Sequence, residues 1–226
     1  MSEKVLVVAA HPDDEIIGLG GTIARHAKLG DIIKTLIIGE GGTSRVPDYH
    51  DNEILEVLKS SAKNAAVELG VDPPIMLNLP DNRLDSQSLI EIIKPIEEIL
   101  DNFNPDVVYT HFHSDLNIDH RITSDAVLTA CRPTPNTSVK RLYLFETLSS
   151  TEWSFGRYSS QFTPQRYVDI SNSLEKKISA FSQYKTEVKE FPHPRSLESI
   201  RSLAKLRGSQ VGMIAAEAFE VVFERI

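Results

Sequence analysis

Apolar residues in this chain come in two kinds of run, and the two kinds alternate. Val5–Ala10 is short, continuous and valine-rich, the pattern of a strand covered on both faces, as in parallel sheets. Between Gly18 and Leu29 the apolar positions Leu19, Ile23 and Ala27 recur at helical spacing, and Gly30 ends the run. Ile32–Ile38 reads as a second buried strand. Strand, helix and strand within about forty residues make a βαβ unit, whose crossover is nearly always right-handed.

The alternation continues with a helix over Asn52–Leu69, a strand at Ile75–Leu79, a helix at Ser88–Phe103 and a strand at Asp106–Thr110. A helix over Thr123–Cys131 and a strand at Arg141–Phe145 follow. Beyond Pro164 the pattern predicts a short strand at Tyr167–Ile170, helices at Leu174–Tyr184 and Leu197–Leu206, and an apolar tail ending in Val221–Phe223. No repeat or low-complexity linker divides the chain. The expectation is one α/β domain over 1–226, a three-layer α/β/α sandwich on a mostly parallel sheet. Its less regular part, roughly 147–226, is expected to cap the sheet rather than extend it.

Open α/β sheets gather ligands outside the carboxyl ends of their strands. The first strand is followed by His11-Pro-Asp-Asp-Glu15, the second by Gly39-Glu-Gly-Gly-Thr-Ser-Arg45 and the third by Pro80-Asp-Asn-Arg-Leu-Asp85. The fourth is followed by His111-Phe-His-Ser-Asp-Leu-Asn-Ile-Asp-His120. Histidine, aspartate, asparagine and arginine thus meet at one edge.

Composition narrows the partners. With 226 residues, 41% hydrophobic and 25% charged, the chain has an ordinary globular make-up. A net charge of −8 without a compact Lys/Arg cluster argues against nucleic acid. Cys131, the only cysteine, excludes an internal disulfide and any Cys-rich zinc motif. No apolar run reaches the ~18–20 residues of a membrane span, and the start lacks a signal-peptide pattern. The expected setting is the cytoplasm; a homo-oligomer is compatible with the sequence.

His11 and Asp14, three apart at a strand-to-helix turn stiffened by Pro12, can converge on one point, and imidazole and carboxylate are ordinary zinc ligands. His111, His113 and His120 are candidates for a third ligand. If Asp14 binds metal, Asp13 is free to act as general base; its alternative is a helix N-cap.

Ala10-His-Pro-Asp-Asp-Glu15 with Asp115-Leu-Asn-Ile-Asp-His120 resembles the PIG-L/LmbE-like family of zinc-dependent de-N-acetylases. The resemblance extends to Gly39–Arg45, Pro80–Asp85, Phe145–Trp153, Pro192–Ser196 and Ala216–Phe219. It implies a Rossmann-like α/β fold and hydrolysis of the acetamide of an N-acetylglucosamine-type substrate. It also implies Zn2+, with Fe2+ or another divalent ion as an alternative, held by His11, Asp14 and His120. Asp13 matches the family's base, and Asp119 its orienting carboxylate. Asn117 stands where several members carry a histidine that stabilises the oxyanion. It can donate a hydrogen bond but not a proton, so His193, His113 or Asp13 itself would have to supply the acid.

Arg45, Asp81, Arg83 and Arg195 are candidates for substrate contacts, each with an ordinary structural alternative. Asn82, Asp85, Trp153 and Glu217 sit near the same expected edge. Gly18-Leu-Gly-Gly-Thr22 does not match a dinucleotide fingerprint and is read as permitting close helix–sheet packing. Competing functions are a metal phosphoesterase and a sugar- or nucleotide-binding module without turnover.

Overall fold

In the computed structural model, which describes residues 2–42, 52–158 and 160–225, one sheet organises the chain. Its strands are β1 (Lys4–Ala9), β2 (Ile32–Gly39), β3 (Ile75–Leu79), β4 (Val107–His111), β5 (Arg141–Phe145), β6 (Arg166–Asp169) and β7 (Ala216–Glu224). They lie in the order β3-β2-β1-β4-β5-β7-β6. The first five are mutually parallel; Val7 of β1 pairs with Thr35 on one side and Tyr109 on the other.

Helices α1 (Asp14–Leu29), α2 (Asn52–Leu69), α5 (Leu174–Ser182) and α6 (Leu197–Ser209) cover one face, packing on Val5, Val7, Ala9, Tyr109, Tyr143 and Phe145. Helices α3 (Leu89–Phe103) and α4 (Ile118–Ala130) cover the other, against Leu6, Val8, Leu36, Ile38 and Val108. Alternate residues of β1 therefore enter different cores, which is why its sequence is apolar without a break. The chain leaves β1 for β2 on one side and later returns to β4 on the other. The crevice outside the carboxyl ends of β1 and β4 is the switch point of the sheet.

Two helices begin earlier than the apolar pattern predicts, both at this crevice. α1 starts at Asp14 rather than Gly18, because the Asp13 carbonyl already accepts from Ile16 N (3.0 Å) and Ile17 N (2.9 Å). Its first turn buries Asp14 and Glu15 beside Ile16 and Ile17, so acids interrupt the apolar run where the helix begins. α4 starts at Ile118 rather than Thr123, capped by the Asn117 side chain accepting from Asp119 N at 2.8 Å.

α1 is broken at Leu19, whose φ of −148° is not helical. A buried ion pair stitches the break. The Glu217 carboxylate accepts from Gly21 N (3.0 Å) and Thr22 N (2.6 Å), the start of the second half. Lys177 Nζ donates to Ile17 O (2.8 Å) in the first half and to Glu217 (2.6 Å). A Cβ on Gly18 would enter the Phe145 ring, so the glycine permits the close helix–sheet approach expected from the sequence.

The region expected to cap the sheet covers one face of it with α5 and α6 and also extends it. β7 pairs antiparallel with β5, Phe145 opposite Phe219, and β6 pairs antiparallel with β7. β7 is also longer than the predicted tail, because its first residues alternate small side chains with the buried Glu217 rather than with exposed polar ones.

Candidate metal centre

The turn after β1 and the first turn of α4 face one another across the crevice. His11 lies just beyond β1, Asp14 opens α1, and His120 sits in the first turn of α4; all three are buried. One ligand atom from each lies within 4.8 Å of the others.

His11 is held from behind. Its Nε2 is 3.0 Å from Asp119 Oδ2 and 3.3 Å from Asp81 Oδ1, while Nδ1 faces Asp14 Oδ2 at 3.3 Å. Asp119 is itself fixed, its Oδ1 accepting from Leu84 N at 3.1 Å. His120 places Nε2 3.2 Å from Asp14 Oδ2 and Nδ1 3.2 Å from Asp115 Oδ1, yet neither contact has hydrogen-bond geometry. Asp14 Oδ1 also has no hydrogen-bond partner. Buried polar atoms without partners are costly, and these belong to two of three residues aimed at one point. Two imidazoles and a carboxylate, with further carboxylates behind the rings, match the donor chemistry of a catalytic divalent-cation site.

Electrostatics agree. Burial opposes charge on His11, but Asp119, Asp14 and Asp81 outweigh it and raise its pKa to about 10. Burial likewise opposes charge on His120, and Asp14 and Asp115 raise it to about 9. Against its own burial, Asp14 is held well below the usual carboxylate range by His120 and His11. The cluster thus demands positive charge, from protons or from a cation.

Two other groups of described residues are spaced closely enough for a cation. His11, Asp81 and Asp119 reuse the Nε2 already hydrogen-bonded to Asp119. Glu3, His26 and Asp31 are satisfied internally, with His26 between Asp31 Oδ2 (2.7 Å) and Tyr109 OH (3.3 Å). Neither has the unpartnered atoms of the first group.

The other histidine candidates have different surroundings. His111 Nε2 accepts from Ala10 N at 2.9 Å, Nδ1 lies 3.2 Å from Thr147 Oγ1, and the ring stacks on His120 at 4.0 Å. Burial and the neighbouring His120 keep its pKa well below the ordinary value, so it serves as a neutral wall. His113 is exposed, against Ser160 Oγ at 3.1 Å.

Asp13 is 2% exposed and adopts a left-handed backbone, φ 112°. It occupies the N-cap position of α1 without a side-chain cap bond. Burial pushes its carboxyl well above the usual range, with Arg195 pulling the other way. Its N–H donates to Glu15 Oε2 (3.0 Å), and Glu15 Oε1 accepts from Tyr184 OH (2.6 Å).

Several expectations change here. Asn117 spends its carbonyl on the α4 cap and its amide on Asn82 Oδ1 (3.2 Å), so both of its side-chain polar groups already have partners. Asp81, expected at a substrate edge, lies against His11, and Arg195 lies on Asp13 at 3.0 Å. His193 accepts from Arg195 N through Nδ1 (3.0 Å), its ring 5.8 Å from that of Trp153. Arg83 and Asp85 are exposed, and Arg45 lies outside the described residues. Sequence reasoning missed Asp115, Glu15, Tyr184 and Glu187. Asp115 lies in a motif already singled out, whereas nothing local marks Tyr184 or Glu187.

Comparison with known proteins places this arrangement. Residues 6–131 match the PIG-L family model, described as GlcNAc-PI de-N-acetylase, a span holding His11, Asp13, Asp14, Asp119 and His120. A 1D-myo-inositol 2-acetamido-2-deoxy-alpha-D-glucopyranoside deacetylase from Mycobacterium sp. (strain JLS) is 27% identical, covering 89% of this chain and 79% of its own. Among solved structures, N,N'-diacetylchitobiose deacetylase from Pyrococcus horikoshii superposes with a TM-score of 0.78 at 23% identity, over 98% of this chain and 84% of that one. The 4-carboxy-2-hydroxymuconate hydratase of Pseudomonas putida KT2440 superposes at 0.79 with 20% identity, over 99% and 98%. These two likenesses concern the fold alone, whereas the family match spans more than half of the sequence. The chain belongs to the PIG-L family.

Proposed function

We propose that this chain hydrolyses the acetamide of an N-acetylglucosamine-type amino sugar, releasing acetate and the free amine. We assign a divalent cation, zinc in the first instance, to His11, Asp14 and His120. The observation that carries this reading is the set of buried, unpartnered ligand atoms on Asp14 and His120 beside Asp13, a carboxylate that neither joins them nor caps its helix. A bound divalent ion supplies Lewis acidity at such a site.

Asp13 takes a proton from the attacking water as that water adds to the acetamide carbon. The protonated carboxyl then gives the proton to the departing amine, so one residue serves as base and acid. Asp119 and Asp81 fix the His11 ring, and Asp115 faces His120, so the donor atoms keep their directions through the cycle. The amino-sugar class is supported by the family description and by the acetylated sugars in the names of its deacetylase relatives. A two-metal phosphoesterase finds less support, since the second constellation depends on the hydrogen-bonded Nε2 of His11. A cytoplasmic setting belongs to the same proposal, and no described helix is long and apolar enough to cross a membrane.

Acetate release tests the reading, from N-acetylglucosamine, diacetylchitobiose and N-acetylglucosaminyl-inositol, after chelation and after zinc or iron(II) is restored. Restored release from at least one sugar is expected. Asp13→Asn is expected to keep its metal and lose about 10²- to 10⁴-fold in rate. A metal-loaded protein that releases acetate from none of them would overturn the assigned reaction; undiminished Asp13→Asn turnover would remove Asp13 from it.

A further inference from the structure

Resting on the reading of Asp13 as the proton-transfer group, we infer that Arg195 is a positioning residue that aims the Asp13 carboxylate, rather than a substrate contact. Arg195 Nη1 donates to Asp13 Oδ2 and to Glu187 Oε2, each at 3.0 Å, and its side chain is only 14% exposed. Nη2 stands 4.0 Å from Asp14 Oδ1, and Nε is buried without a hydrogen-bond partner. The guanidinium therefore faces the acidic turn. Reaching a substrate would require it to leave two buried carboxylates.

The platform beneath it is built for that task. Arg195 N donates to His193 Nδ1 (3.0 Å), Arg195 O accepts from Lys189 N (3.2 Å), and the next residue, Ser196, caps α6. This assigns His193 a part in holding Arg195. Glu187 is buried and continues from Tyr184, whose hydroxyl steadies Glu15 beneath the Asp13 amide. Asp13 is thus held twice, at its backbone by Glu15, which Tyr184 steadies, and at its carboxylate by Arg195, whose guanidinium Glu187 anchors. A non-glycine residue at φ 112° persists only where its surroundings over-determine it. The grip on the carboxylate comes from a part of the chain beyond residues 6–131, the span of the family match.

Arg195→Lys keeps the charge but loses the planar fork. The expected result is a fall in kcat of about 10- to 100-fold with KM within about twofold of wild type and metal content unchanged. In Arg195→Ala, added guanidinium is expected to restore part of kcat. Unchanged kcat in both variants would overturn the inference, as would a raised KM with kcat preserved, which would make Arg195 a substrate contact. If neither folds, Glu187→Gln, which frees one side of the guanidinium, is read for the same split. A double-mutant cycle on melting temperature in the metal-free protein, combining Asp13→Asn with Arg195→Lys, supplies a readout independent of turnover. The two shifts should be clearly less than additive; additive shifts would refute the pairing. Absence of acetate release by the wild type would instead overturn the assigned reaction, leaving the cycle to judge the pairing.

Discussion

At the scale of single residues, the proposed metal site sets protons and a cation in competition for the same nitrogens. The raised pKa values of His11 (about 10) and His120 (about 9) mean that the metal-free protein holds both imidazoles charged at neutral pH. The sign follows from linkage. Those charges stabilise the metal-free fold fully below the ordinary imidazole value of about 6.5, and the contribution fades as pH rises through about 9 and then about 10. A cation must displace the protons, so its affinity should weaken as pH falls below about 10 and more steeply below about 9. Calorimetry of zinc binding in buffers of different ionisation enthalpy should show about two protons released per ion near pH 7. Release of none would mean that these two rings are not its ligands. In the sequence, the motif made His11 and Asp14 legible, whereas His120 could not be separated from His111 and His113 without the resemblance. What separates them is tertiary: one ring bonds to the Ala10 amide, another lies against a surface serine, and only His120 faces Asp14 with unpartnered nitrogens.

Individual elements deliver these residues, and the two helix starts that the apolar pattern places too late, in α1 and α4, are where the candidate ligands Asp14 and His120 stand. Periodicity found the helices by their apolar faces, but the first turns of α1 and α4 bury carboxylates and a histidine instead. Those polar positions carry no apolar signal, although Ile16 and Ile17 stand beside the acids of α1. Asn117 ties the α4 start to the site, and Asn117→Ala should cost about 1 kcal/mol through the lost cap. It should also weaken metal affinity by disturbing the first turn, while kcat at saturating metal stays near wild type. A large loss of kcat at full metal loading would return Asn117 to the oxyanion role that its hydrogen bonds argue against. The break in α1 is likewise an element-scale device, since Glu217 and Lys177 satisfy the backbone groups that the kink exposes. Removing one partner of such a buried pair is expected to cost about 3–5 kcal/mol. Lys177→Met should therefore lower the melting temperature well beyond an exposed lysine change such as Lys94→Met, and equal shifts would show that the pair is not what holds the kink.

Across the whole molecule, the family match and the complete site do not coincide. Residues 6–131 supply every candidate ligand and Asp13, yet Arg195, which holds the Asp13 carboxylate, its anchor Glu187 and the Lys177–Glu217 pair come from later in the chain. The core is divided the same way. The sheet face carrying Val5, Val7, Tyr109, Tyr143 and Phe145 is covered in part by α5 and α6, and β5 is paired along one edge by β7. A fragment ending at Glu146 would expose that face and leave an unpaired edge, a combination that favours association over folding. Such a fragment should lack dispersed amide resonances and cooperative melting, even with zinc and with all three candidate ligands present. Mixing it with the separately made remainder, 147–226, should restore cooperative melting if the contacts across α1, β5 and β7 are the missing stabilisation. A fragment that folded and bound zinc alone would instead make the late segment an accessory. In that case the late segment would be needed for neither fold nor metal, and kcat of Arg195→Lys in the full chain would alone judge its part in turnover.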